Sequence, residues 1–189
     1  LSIHSFPTRR SSDLNFSSKL LRIASESNKW HSLAKMPKHL ARLHENGDLY
    51  YHDLDSLNLT TNCLHIPTKR LLLNGFNTGY GTLRRPSRIE SAAELSCILL
   101  QSAQNDHFGG QSHPNFDNDL APFVQASRDE IYKEYKELLP NESEESIQLK
   151  VEKKVRNQVH QAMQGVVYNL NTMHSRAGSQ VPLDRKSVV

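Results

Sequence analysis

Cys63 stands in the stretch TTNCLHIP, residues 60–67, between an asparagine and a run of Leu, His, Ile and Pro. A thiolate is a nucleophile, with His65 or His52 as the candidate base. Against this stands the commonest fate of a free cysteine, which is to fill a core as a small hydrophobe. Cys97, between Ser96 and Ile98 on a helical pattern, fits that last role. A cysteine hydrolase would also need an oxyanion hole and a base–orienter pair, and no spacing in the chain signals them.

Three further stretches are polar enough to bind something. HDLD, residues 52–55, offers imidazole and carboxylates, which suit hard or borderline metal ions. Two carboxylates and one histidine do not make a site, so no metal is expected there and a loop or polar-ligand role is preferred. FGGQS, residues 108–112, brings bare backbone close to a ligand or simply turns tightly. It lacks the G-x-x-x-x-G-K-[ST] spacing of a P-loop. NLNTMHSRAGSQ, residues 169–180, carries amide, hydroxyl and guanidinium donors suited to hydroxyls and phosphates, and equally reads as a solvated loop.

The whole chain limits what these residues can belong to. Its 189 residues suit one domain or a large piece of one, and 37% of them are hydrophobic. No apolar run approaches the roughly 18 residues of a membrane span, and the opening LSIHSFPTRRSSDL has no apolar core of a secretory signal. Two cysteines do not make a disulfide framework, and they are too few for a structural zinc site unless several of the ten histidines join them. The net charge is +3, and the first fourteen and last seven residues each supply +1, so a nucleic-acid-binding surface is not indicated. Residues 1–14 and 184–189 are polar, basic and aperiodic, and resemble translated sequencing-adapter sequence; an ordinary disordered terminus is the alternative. The remaining residues 15–183 then read as an internal piece of a longer protein.

The elements that must position the polar stretches are mainly helices. Residues 16–45 are helical by pattern, with Leu20, Leu21 and Ile23 grouped, Leu33, Met36, Leu40 and Leu43 following at spacings of three and four, and Pro37 as a start or kink. Gly47 in ENGD suits a left-handed cap. LYYHDLD, residues 49–55, reads as a short strand, TKRLLLNGF as a short helix closed by Asn-Gly, and NTGYGTLRRP as a glycine-punctuated loop. In SRIESAAELSCILLQSAQND, Ser87 and Glu90 predict a capping box, ahead of a face of small residues that allows close packing. A loop follows, then a helix over 119–139 with Asp129 and Lys133 spaced for an ion pair. A last helix starts near Ser143, with Ile147, Val151, Val155, Val159 and Ala162 on one stripe.

GDLYYHDLD, TNCLHIP, GFNTGYGTLRRPSRIESAAEL, QSAQNDHFGGQSHPNFDNDLAPFV and YNLNTMHSRAGSQVP occur in that order. Together they resemble the anaerobic, class III ribonucleoside-triphosphate reductases, which are glycyl radical enzymes, over about residues 16–182. The family pattern continues VPF where this chain reads VPLDRKSVV, so the match stops at Leu183. The resemblance implies an α/β fold: this chain would be a mostly helical fragment of a ten-stranded α/β barrel with helices outside. It implies reduction of ribonucleoside triphosphates to 2′-deoxyribonucleoside triphosphates by radical chemistry. A glycyl radical near the family's C-terminus oxidises a loop cysteine, and that thiyl radical removes the 3′ hydrogen of the substrate.

By the same resemblance Cys63 matches a second cysteine, which supplies hydrogen from the opposite sugar face. His52, Asn62, Gly109, Gly110, Gln111 and Ser112 match substrate-binding stretches, although Phe108 interrupts the family's HGGQS-like run and displaces His107 by one. Arg84, Arg85 and Glu90 match a region near a homodimer interface where ATP or deoxynucleotide effectors act. Formate, or a thioredoxin-type system, would be the final reductant. A radical-SAM activating enzyme would be a partner, zinc would sit in a four-cysteine module toward the family's C-terminus, and the setting would be cytoplasmic, with no membrane or nucleic-acid partner. The glycyl motif and the loop cysteine are not in these 189 residues, so the chain alone is expected to be inactive. A non-enzymatic helical nucleotide-binding module and a hydrolase built on Cys63 are the competing readings.

Overall fold

A computed structural model describes residues 16–57, 63–104, 107 and 109–172. The two tails, Asn62, Phe108 and the polar stretch beyond Thr172 lie outside the described residues. The fold is mostly helical, with two small sheets. The helices are α1 (Phe16–Lys35), α2 (Lys38–Glu45), α3 (Thr68–Asn74), α4 (Ile89–Ala103), α5 (Phe116–Leu138) and α6 (Glu144–Thr172). The strands are β1 (Leu64–His65), β2 (Phe76–Asn77), β3 (Thr82–Leu83) and β4 (Gln111–Ser112). β1 pairs with β4 in parallel, and β2 with β3 in an antiparallel hairpin. No helix among the described residues is long and apolar enough to cross a membrane.

α4 is the centre of the packing. It buries Ile89, Ala92, Ala93, Ser96, Cys97, Leu99 and Leu100, and packs against α3, α5 and α6. Small side chains at 92, 93, 96 and 97 let the neighbouring backbones come close, and the buried Ser96 hydroxyl is satisfied by the Ala92 carbonyl at 2.8 Å. α6, with 29 residues, is about 44 Å long. That length lets it serve two core clusters. Ala162 and Leu170 join the main cluster with Leu72, Leu120 and Phe123, while Ile147, Val151 and Val155 form a second with Ile131.

Several expectations are corrected. Residues 49–55 form no strand: Asp53 adopts a left-handed conformation at φ 51°, and Leu54–Ser56 close into a 3₁₀ turn that buries Leu54. The loop 76–83 is a β2–β3 hairpin. Its start is fixed by Gly75 at φ +75°, where a Cβ would sit 2.6 Å from the Leu83 carbonyl oxygen. Ser87 does not cap α4. Arg88 takes the N-cap position without a side-chain bond, and the first amide, Ile89 N–H, donates to Ser127 Oγ of α5 at 3.0 Å. A tertiary contact therefore replaces the expected capping box. Asp129 accepts from Gln125 at 2.8 Å instead of pairing with Lys133.

α1 is the largest departure. It buries Ser18 and Ser32, and Ser25 donates to Asp55 of the 3₁₀ turn. Phe16, Leu20, Ile23 and Trp30, spaced four, three and seven residues apart, stay 50–75% exposed. The apolar group expected from the sequence is real, but it faces out.

Two substitutions test this packing. Ser127→Ala leaves the buried Ile89 amide without an acceptor and should destabilise the chain by about 1–3 kcal/mol. Gly75→Ala forces a side chain into a left-handed backbone against Leu83 and should cost at least about 1 kcal/mol. Urea denaturation of both variants, beside wild type, reads both values; an unchanged midpoint for Ser127→Ala would remove the tertiary cap from the account.

Candidate functional site

The backbone ladder brings two of the polar stretches together. Leu64 N–H donates to Gly110 O at 3.0 Å and Ile66 N–H donates to Ser112 O at 2.9 Å. Leu64 lies opposite Gln111 and His65 opposite Ser112, so Cys63 falls beside Gly110. Side chains alternate across a strand. Leu64 and Ile66 turn inward with Gln111, whose amide donates to the Leu100 carbonyl near the end of α4 at 2.7 Å. Cys63, His65 and Gly110 are exposed and Ser112 is half-buried, on the opposite, open face.

That open face is polar and roomy. His65 Nδ1 lies 2.7 Å from Ser112 Oγ, a bond that crosses the register and links residues 47 apart in sequence. Nε2 of His65 has no partner among the described residues. A Cβ added to Gly110 would meet nothing within 4 Å, so the space beside Cys63 is open on this strand. No histidine bonds the Cys63 sulfur among the described residues, and His65, two residues on, is engaged by Ser112.

The inner face is built to hold β4 still. His113 meets the Thr68 hydroxyl at the start of α3 and stacks on Phe116, with ring centroids 5.2 Å apart. Burial holds the His113 imidazole below its ordinary value, while the Ser96 backbone and Asp119 pull the other way. Buried His107 bonds the Ala103 carbonyl at 2.6 Å and so satisfies the C-terminal end of α4. Cys97 is buried on α4, and burial, with Glu94 second, pushes its thiol up to about 11.

Of the other residues singled out from sequence, Gly109 adjoins this ladder, and His52, Arg84, Arg85 and Glu90 lie apart from it in the chain. His52 is exposed in the turn before the 3₁₀ segment and pairs with Asp53 at 2.5 Å. Gly109 is half-buried just before Gly110. Arg84 and Arg85 are exposed after β3, and Glu90 sits in the first turn of α4 with Oε2 buried and unpartnered. Sequence reasoning gave His65 only as a hydrolase base and overlooked His113. The signal for both was the shared two-residue phase of CLHI and GQSH, which is readable only once the two strands are known to pair.

The family model for the anaerobic ribonucleoside-triphosphate reductase matches residues 10–184. The chain belongs to that family. Among curated relatives it is similar to the anaerobic ribonucleoside-triphosphate reductases of Salmonella typhimurium and Escherichia coli K12, each at 30% identity over 149 residues. It is also similar to that of Enterobacteria phage T4, at 26% over 145 residues. These alignments cover 76–78% of this chain but only 20–23% of the relatives, so the chain spans about a fifth of their length. For a reductase-family segment, the two cysteines are in contrasting settings: one open beside a glycine, one buried in a helix.

Iodoacetamide at mildly alkaline pH should therefore modify Cys63 in the folded chain and leave Cys97 untouched until denaturant is added, as read by peptide mass spectrometry. Equal labelling of both would contradict the burial of Cys97. A second expectation follows from His113. Its folded-state pKa is below the unfolded 6.5, so the unfolded chain takes up a proton first and stability falls as pH drops below that value. Urea midpoints at about pH 7.5 and about pH 5.5 should differ less in His113→Gln than in wild type, because that variant loses the titration.

Proposed function

We propose that the full-length protein containing these residues reduces ribonucleoside triphosphates to 2′-deoxyribonucleoside triphosphates by anaerobic radical chemistry, and that Cys63 donates hydrogen on one face of the ribose. Family membership supports the reaction class. The observation that carries the role of Cys63 is the parallel register, which sets the exposed thiol beside Gly110 and next to the His65–Ser112 pair.

The chemistry asks for a reductive hydrogen donor beside open space. In the net change the C2′–O bond breaks and a C2′–H bond forms; the oxygen leaves as water. The S–H bond of Cys63 breaks in that transfer; formate, oxidised to carbon dioxide, supplies the two electrons and the hydrogen that restores it, or a thioredoxin-type dithiol does. A glycyl radical elsewhere in the full-length protein supplies the one-electron oxidation that makes the substrate reactive. The residues here bind and present. Gly110 leaves room for a sugar against the strand, Gln111 anchors that strand to α4, and Cys63 offers a neutral S–H. A sulfur without a histidine partner suits hydrogen-atom donation and is poorly set up as a hydrolytic nucleophile, which favours this reading over the hydrolase.

The remaining assignments belong to the same proposal. The parallel β1–β4 pair is the part of this chain that contributes to the ten-stranded barrel. His52, Asn62 and Gly109 complete the nucleotide surface. The segment with Arg84, Arg85 and the unpartnered Glu90 carboxylate receives ATP or deoxynucleotide effectors near a homodimer contact. The radical-SAM activating enzyme and the zinc module act on other parts of the full-length protein, in the cytoplasm.

The test is Cys63→Ser in the full-length protein, assayed without oxygen after activation. The O–H bond is much stronger than S–H, so turnover should fall at least about a thousandfold, or about 4 kcal/mol of barrier. Glycyl radical content, read by electron paramagnetic resonance, should stay at the wild-type level. A radical-loaded variant with wild-type turnover would remove Cys63 from the chemistry.

A further inference from the structure

The geometry points to His65, held by Ser112, as the residue that recognises the ribose 2′-hydroxyl beside Cys63. This rests on the reading of the open face as a ribonucleotide site. Three observations carry it. His65 is two residues from Cys63 on one extended segment, so both side chains leave the same face of the β1–β4 pair. Its Nδ1 is already committed, 2.7 Å from Ser112 Oγ, which fixes the ring orientation across the register. Its Nε2 is unpartnered among the described residues, and the neighbouring Gly110 position leaves open space where a sugar would lie.

An imidazole fixed through one nitrogen is a rigid single-point donor or acceptor at the other. With the Ser112 hydroxyl donating to Nδ1, the neutral ring keeps its proton on Nε2 and donates it to a hydroxyl oxygen. The hydroxyl nearest a hydrogen donor for C2′ is the one that departs from C2′. His65 is thus a substrate-positioning residue, and Ser112 acts through it. A ligand lacking the 2′-hydroxyl forfeits the hydrogen bond from Nε2, and sites that hydrogen-bond a substrate hydroxyl discriminate on that basis.

The experiment is equilibrium binding of CTP and of 2′-dCTP to the full-length protein, with a different deoxynucleoside triphosphate saturating any effector site. Wild type should prefer the ribonucleotide, and His65→Phe should lower that preference about tenfold, mainly through weaker CTP binding. Ser112→Ala should lower it part of the way. A loss of packing alone would weaken both ligands equally and leave the ratio unchanged, so an unchanged ratio in His65→Phe overturns the inference. If His65→Phe does not fold, the ratio in Ser112→Ala decides: a fall supports the assignment and an unchanged ratio overturns it. Turnover of Cys63→Ser separates the two levels. An inactive Cys63→Ser with an unchanged His65→Phe ratio sinks only this assignment, whereas an active Cys63→Ser sinks the underlying reading as well.

Discussion

Alanine, serine and cysteine at 92, 93, 96 and 97 let α3, α5 and α6 approach α4 at close range, and the position of β4 depends on that approach. Gln111 reaches the Leu100 carbonyl, His107 closes the helix end at Ala103, and Ser127 of α5 caps the helix start at Ile89. Each bond anchors a loop or a neighbouring helix to α4. A larger side chain on the small face would push α5 and α6 away, and such overpacking typically costs about 1–3 kcal/mol. It would also move β4 relative to β1, and the register beside Cys63 would go with it.

The two faces of that short ladder do different work. Inward, Leu64, Ile66, Gln111 and His113 meet the core, with His113 kept neutral by burial at physiological pH. Outward, Cys63, His65, Gly110 and Ser112 offer a thiol, a fixed imidazole and bare backbone. Alternation of this kind places packed and solvent-facing side chains one residue apart.

Much of the helical architecture was legible from periodicity. The stripe Ile147, Val151, Val155 is buried as its spacing of four requires, and α4 is buried on its small face. Local signals failed where a tertiary partner took over. Ser87 and Glu90 spell a capping box, yet the helix starts one residue later, and a hydroxyl from α5, Ser127 Oγ, accepts from its first amide, Ile89 N–H. Tyr and Leu in LYYHDLD favour a strand, yet Asp53 turns left-handed and Leu54 is drawn under α1. α1 inverted the usual rule altogether, burying serines and exposing Phe16, Ile23 and Trp30. As for the site, the motif stretches themselves were visible, and a resemblance linked them to a family. Their side-by-side register was not visible, because two-residue strands carry too few residues to show a period. That His65 shares a face with Cys63 and Ser112 follows only from the phase of the ladder.

Parallel pairing across 47 residues also sets an order of assembly. No tight turn can join parallel strands, so β1 and β4 meet only after the intervening chain is arranged. Closing a flexible segment of that length costs roughly 3 kcal/mol in chain entropy, and two rungs cannot repay that alone. α3, the hairpin and α4 must shorten the path first, which makes the ladder a late-forming, non-local contact. The reverse also holds. When α4 loosens, the Leu64 and Ile66 amides should be among the first to open, and Cys63 loses its neighbours before the helices melt. The thiol is thus placed only in molecules whose helical core is already complete.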